Sequence, residues 1–325
     1  MTNLKLDSDH DPDHFDLVHS FPNPQETRND KVIRTDSRDT QKQQYLVRKM
    51  GEVLEKLKSK GSVLVAMSGG VDSSLVTLLS KKALGSKAIT VTADSMTLPS
   101  GELEEADRLA EEIGIEHIII KVDETTNPNF VTNPPNRCYY CKKELILKLK
   151  EIARDRSIET IVDGTNADDM KVHRPGALAL AESGVYSPLA DAGLGKEDVR
   201  TLAKMLGLPN ADKPSMACLG SRFPYGEEIT KDKLRLVAEA EKSVRELTGV
   251  RELRVRVHGN LARLEVGREE RKLLFDQGLM EMISKRLKAL GFVYVTMDLL
   301  GYRSGSMDEA LDKKIIPGLL KDKRI

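Results

Sequence analysis

Three groups of residues have types and spacings that can do chemistry. The first is Ser68-Gly-Gly-Val-Asp-Ser73, which follows the apolar run Val63–Ala66 and precedes a helix-forming stretch. Gly69 and Gly70 allow backbone angles and close approach that other residues deny. Asp72, Ser73 and Ser74 favour a helix start, where unpaired N–H groups and the helix dipole attract phosphate. The Ser68 and Ser73 hydroxyls add donors, and Asp72 suits Mg2+ shared with phosphate oxygens. No Lys-Ser/Thr pair follows the glycines, so this is not a Walker A loop.

The second group is the cysteines: Cys138, Cys141 and Cys218, three in all. An odd count in a chain without a signal-peptide pattern does not suggest a disulfide framework. Cys138-Tyr-Tyr-Cys141 has ligand spacing. Three readings stay open: three thiolates holding a 4Fe–4S cluster with one open iron, zinc with His117 or His173 as fourth ligand, or simple redox thiols. Cys218 lies in a loop rich in Pro, Ser and Gly. Arg222 nearby would favour its thiolate and make it a nucleophile.

The third group is cationic. Arg254 and Arg256 alternate with Val255 and Val257, which puts both on one face of a strand, about 7 Å apart. Two guanidinium groups so placed suit a phosphate or carboxylate; a solvated strand face is the plainer reading. Arg303, in Gly301-Tyr-Arg-Ser-Gly-Ser306, adds a third cation in a stretch suited to an anion.

These residues need a frame. Apolar spacing predicts a helix over 44–58, and the run at 63–66 a covered strand. Further strands are expected at 88–93, 116–122 and 160–163, alternating with helices at 73–83, 102–113 and 141–154. Alternation of this kind implies a doubly wound parallel α/β sheet. Ligands then bind beyond the carboxyl ends of the strands. The glycine turn, Asp94-Ser95 and Gly164-Thr-Asn-Ala-Asp-Asp169 all fall there, so Asp94, Ser95, Gly164 and Asp168 become candidates for the nucleotide site. After residue 230 the pattern changes to a long helix, an alternating hairpin at 250–266, and a strand at 292–297. Three segments are expected: a polar extension over 1–43, an α/β domain over 44–212, and a smaller α+β domain over 213–325. His10, His14 and His19 in the extension are assigned no chemistry.

The 325 residues carry 51 basic and 51 acidic side chains, with no Trp. Zero net charge and few aromatics weigh against a nucleic-acid partner. No run is apolar enough to span a membrane, and the cytoplasm is the expected location.

Ser68-Gly-Gly-Val-Asp-Ser73 resembles the PP-loop of ATP pyrophosphatases, which split ATP between the α and β phosphates. Taken with Gly164–Asp169, Cys218-Leu-Gly-Ser-Arg-Phe-Pro-Tyr-Gly226, the Arg254-Val-Arg256 strand and Asp298-Leu-Leu-Gly-Tyr-Arg-Ser-Gly-Ser306, the chain resembles the LarE family over residues 44–309. That family consists of ATP-dependent sulfur transferases that act on a pyridinium mononucleotide for the nickel-pincer nucleotide. The resemblance implies a PP-loop at Ser68–Ser73, a sulfur-bearing Cys218, and phosphate-binding Arg254, Arg256 and Arg303. It also implies a homo-oligomer. In one branch a single cysteine gives up its own sulfur; in another, three cysteines hold a 4Fe–4S cluster that relays sulfide. Cys138, Cys141 and Cys218 match the second. Competing readings are a tRNA thiolase, an NAD synthetase-like amide-forming enzyme, and a nucleotide-sensing module.

Overall fold

The glycine turn owes its position to a short strand covered on both faces. In the computed structural model, which describes residues 37–171 and 175–312, the elements run in order. They are α1 (Ser37–Lys58), β1 (Val63–Ala66), α2 (Val71–Leu84), β2 (Ala88–Ser95), α3 (Glu102–Ile113), β3 (Glu116–Val122), α4 (Pro128–Val131), α5 (Arg137–Asp155) and β4 (Thr160–Val162). There follow α6 (Pro175–Ser183), α7 (Pro188–Asp191), α8 (Lys196–Met205), α9 (Lys231–Thr248), β5 (Leu253–His258), β6 (Leu261–Val266), α10 (Gln277–Ala289), β7 (Tyr294–Met297) and α11 (Glu309–Asp312).

The first four strands form one parallel sheet in the order β3-β2-β1-β4, with Val63 opposite both Ala88 and Thr160. Successive side chains of a strand point to opposite faces. Val63 and Val65 join a core with α1, α2, α3 and α8, whereas Leu64 joins one with α5, Ile89, Val91 and Ile161. Both faces are therefore covered by helices, as the expected α/β class requires. No described helix is long and apolar enough to cross a membrane.

β5, β6 and β7 form a second, smaller sheet, antiparallel between β5 and β6 and parallel between β6 and β7. Its core packs α9 and α10 on the sheet and also takes in Phe130, Leu219 and Phe223; Met96 and Cys141 pack against it. Residues from three distant stretches of sequence thus meet beneath the Cys218 loop. Two local expectations change. The helix carrying the cysteines begins at Arg137, so Cys138 and Cys141 occupy its first turns. β5 is not half-exposed: residues 253–257 are all buried, arginines included.

Candidate active site

The PP-loop is held by its own hydroxyls. Ser68 N donates to Ser73 Oγ at 3.2 Å, and the two hydroxyls lie 3.2 Å apart. Ser73 Oγ and Ser74 Oγ both donate to Gly70 O, at 3.1 and 2.8 Å. Gly69 has a φ of +73°, a backbone state that favours glycine. Gly164, from the turn after β4, abuts the start of α2; a Cβ there would lie 2.5 Å from Ser73 N.

The same turn carries Asn166, fully buried, which donates to Asp72 Oδ2 at 3.2 Å and accepts from Asp168 N and Asp169 N. Burial, and then the negative charge of Asp169, push the Asp72 carboxyl above its ordinary range. Asp72 and Asp169 are the close acidic pair. Asp168, the sequence candidate, turns elsewhere: its carboxylate accepts from Lys196 N at the start of α8 and pairs with Lys171. Asp94 opens onto a groove of about 380 Å3 with Lys121, Glu144 and Lys148, none of them in the loop. Ser95 Oγ donates to the buried Glu124 at 2.6 Å.

Two residues with no motif around them complete the loop. Asn210 Nδ2 donates to Gly69 O at 3.2 Å and to Ser74 Oγ at 2.9 Å. Lys213 Nζ donates to Gly69 O at 3.2 Å and pairs with Glu102 and Glu105. A strap then runs from Lys213 to Cys218. Arg254 donates to Ser215 O, and Arg222 donates to Ala217 O and Cys218 O at 2.8 and 3.1 Å. Leu219 N donates to Thr97 O at 2.7 Å, which fixes the strap's far end to the chain beyond β2. Five residue steps reach at most about 18 Å, so Cys218 is tethered within that distance of Lys213, whose side chain reaches the loop.

Cys138 and Cys141 face the end of this strap. Burial is the main cause that pushes both thiols up, and the charge of Cys218 adds to it. Cys141 Sγ also lies 3.8 Å from Glu124 Oε1. Among the described residues, no three His, Cys, Asp or Glu side chains form a group able to hold a single metal ion. A cubane cluster keeps its thiolates farther apart than one ion does, and three soft thiols are the donors it takes. His117 bonds Asp107 and Thr92 at 2.8 and 2.9 Å; His173, His10, His14 and His19 lie outside the described residues.

The arginines form a buried network. Arg222 is fully buried and bonds both oxygens of Glu241, at 2.7 and 3.1 Å, so its guanidinium serves main chain and carboxylate. Arg256 bonds Glu265 at 2.8 and 2.9 Å. Arg254, 1% exposed, contacts two carbonyls and the Tyr302 ring, and has no carboxylate ion pair among the described residues. Burial, then repulsion from Arg222, push its guanidinium down. Arg303 stands apart, paired with Glu309 and Asp298.

A parallel sheet with a serine-glycine loop at a strand end defines a nucleotide-binding protein of the PP-loop class. The family model described as NAD synthase matches residues 42–156. Over 77% of this chain and 93% of its own length, the uncharacterized protein slr1717 of Synechocystis sp. is 45% identical. The pyridinium-3,5-bisthiocarboxylic acid mononucleotide synthase of Lactiplantibacillus plantarum is 37% identical over 82% of this chain and 96% of its own. The uncharacterized protein MJ0830 of Methanocaldococcus jannaschii is 32% identical over 80% of this chain and 97% of its own. This chain belongs to the pyridinium-3,5-bisthiocarboxylic acid mononucleotide synthase, or LarE, family.

Proposed function

We propose that the protein is an ATP-dependent sulfur transferase that adenylates carboxylates of pyridinium-3,5-biscarboxylic acid mononucleotide and converts them to thiocarboxylates. The observation that carries this reading is the strap: one short segment joins the PP-loop, through Lys213, to Cys218. Activation and sulfur are thereby tied within one reach of chain.

A carboxylate is a poor electrophile until it gains a leaving group. ATP supplies one, and the loop N–H groups, Ser68 and Ser73 bind the pyrophosphate that leaves. Asp72 and Asp169 form the acidic pair that would hold Mg2+, which offsets charge on the phosphates. Residues 44–212 perform this activation. Residues 213–325 hold the substrate, whose anionic phosphate suits Arg254, a buried cation that forms no carboxylate ion pair among the described residues. Cys138, Cys141 and Cys218 would hold the 4Fe–4S cluster, which when bound presents sulfide at an open iron. The chain's own part is to bring the adenylate against that sulfur and to exclude water from it.

The test is anaerobic incubation with ATP, Mg2+, sulfide and the pyridinium biscarboxylate, read by mass spectrometry. Exchange of oxygen for sulfur, with one AMP per exchange, is expected. Iron analysis of the same preparation and intact mass after turnover separate cluster relay from loss of the Cys218 sulfur. Thiolation of tRNA, in place of the mononucleotide, would overturn the assignment.

A further inference from the structure

Arg254, the residue proposed to take the substrate's phosphate, is closed to any ligand in this structure, at 1% exposed. Its guanidinium meets the carbonyls of Leu253 and Ser215 and the ring of Tyr302, whose centre lies 4.7 Å from the guanidinium carbon. The carbonyls are main chain, held by β5 and by the strap. Of these contacts, the Tyr302 ring is the one that side-chain rotation lifts.

Tyr302 has a fixed root and a free tip. Its N donates to Val266 O at 2.9 Å, and a Cβ on the preceding Gly301 would lie 2.4 Å from the same oxygen, so the backbone is pinned against the end of β6. Further along, Ser306 Oγ is fixed between Arg256 and Glu265. The Tyr302 side chain is partly exposed, and its hydroxyl bonds no described residue. Its ring face already holds a cation, as the quadrupole of an aromatic ring favours. The mononucleotide carries another, the pyridinium ring. A quaternary ring nitrogen has no N–H, so hydrogen bonds cannot read it, whereas an aromatic face can. Arg254 bonds Ser215 O, three residues before Cys218, and three residue steps span at most about 11 Å.

We propose that Tyr302 selects the pyridinium ring by an exchange of partners: the tyrosine ring leaves Arg254, the phosphate takes its place on the guanidinium, and the pyridinium takes the guanidinium's place on the tyrosine. Each cation then has a partner in both states, and the cover opens at least cost for a ligand that carries both groups. A phosphate ester without a cationic ring must break the contact of Arg254 with Tyr302 and puts nothing back on the tyrosine. This role for Tyr302 rests on the proposed substrate.

The test is calorimetric titration of the full-length protein, without ATP, with three ligands. They are the pyridinium-3,5-biscarboxylic acid mononucleotide, its dihydropyridine form, whose ring is reduced and uncharged, and ribose 5-phosphate. The parent should bind the mononucleotide about five-fold or more tighter than the dihydropyridine. Tyr302→Leu removes ring and cover together. It should bind ribose 5-phosphate more tightly than the parent does, while its preference for the mononucleotide over ribose 5-phosphate falls about five-fold or more. Tyr302→Phe keeps the aromatic face and should hold that preference within about two-fold. A residue that only supported the fold would weaken all three ligands alike. A preference that survives in folded Tyr302→Leu overturns the role, and where that variant does not fold, equal binding of the mononucleotide and its dihydropyridine by the parent does so. Ribose 5-phosphate bound no better by Tyr302→Leu than by the parent overturns the cover. A parent that does not distinguish the mononucleotide from ribose 5-phosphate overturns the proposed substrate itself, so the two failures are told apart.

Discussion

Asp72 illustrates how a residue proposed to hold a metal burdens the fold that carries it. Burial and the charge of Asp169 raise its carboxyl, while the Asn166 bond lowers it only in part. A raised carboxyl binds its proton more tightly in the folded chain than in the unfolded one. Its stabilising share is full below the unfolded pKa, about 4, and is lost as pH rises through the folded value. Asp72→Asn removes that loss. Thermal melts of the nucleotide-free protein should show a higher melting temperature for the variant at pH 7, and a smaller gain at pH 4. Pyrophosphate release should fall about 10²-fold or more, since the residue proposed to hold Mg2+ is gone. A variant that melts lower at pH 7 would show that Asp72 stabilises the loop instead.

At the scale of elements, the site depends on two close fits. Gly164 lies against the first turn of α2, where a Cβ would sit 2.5 Å from Ser73 N and 2.7 Å from Ser73 Cα. These are backbone atoms and cannot step aside. Gly164→Ala should cost about 1–3 kcal/mol in urea unfolding and weaken ATP binding about ten-fold, because the displaced turn of α2 is the phosphate cradle we propose. The second fit is α9 on β5. Glu241 bonds Arg222 and Arg245 and accepts from Val255 N at 3.0 Å. Burial works against its ionisation, but these arginines outweigh it and hold the carboxyl below its usual range. That contribution is present above the unfolded pKa and is lost as pH falls through the folded one. Glu241→Gln strands Arg222 without a counter-charge and should destabilise the protein by about 3–5 kcal/mol at neutral pH. Equal urea midpoints for the variant and the parent would refute the pairing. β5 also marks the limit of sequence reading. Alternating Arg and Val looks like a strand with one wet face, and nothing nearby in sequence reveals that Ser215 and Tyr302 meet Arg254 and that Glu265 and Ser306 meet Arg256. The α/β sheet was legible because its apolar runs and glycine turns are local. Lys213 and Asn210 were not, because their partner Gly69 is some 140 residues earlier. Asp168 and Asp169 cannot be told apart by sequence, because adjacent carboxylates on a turn look alike until Asn166 orients them.

The whole molecule is organised by how its two sheets share one strap. The parallel sheet fixes Gly69 and Thr97, the β5 sheet supplies Arg254, and its packed loop supplies Arg222. Every peptide from Lys213 to Leu219 is thus within two residues of an anchor from one sheet or the other. Such bracing makes sense for a reaction in two stages. The adenylate must form at the loop and then meet sulfur before water does, which requires the two centres to keep a fixed separation. Lengthening the strap should uncouple the stages without touching either centre. Insertion of Gly-Ser between Pro214 and Ser215 leaves the PP-loop, Lys213 and all three cysteines in the chain. Release of AMP and pyrophosphate should stay within about three-fold of the parent, while thiocarboxylate per AMP falls about ten-fold or more and hydrolysed adenylate makes up the difference. The ratio of thiocarboxylate to AMP, measured by mass spectrometry on one reaction mixture, decides it. Equal loss of both products would mean that the strap serves the loop alone, and that sulfur reaches the adenylate by motion of another element.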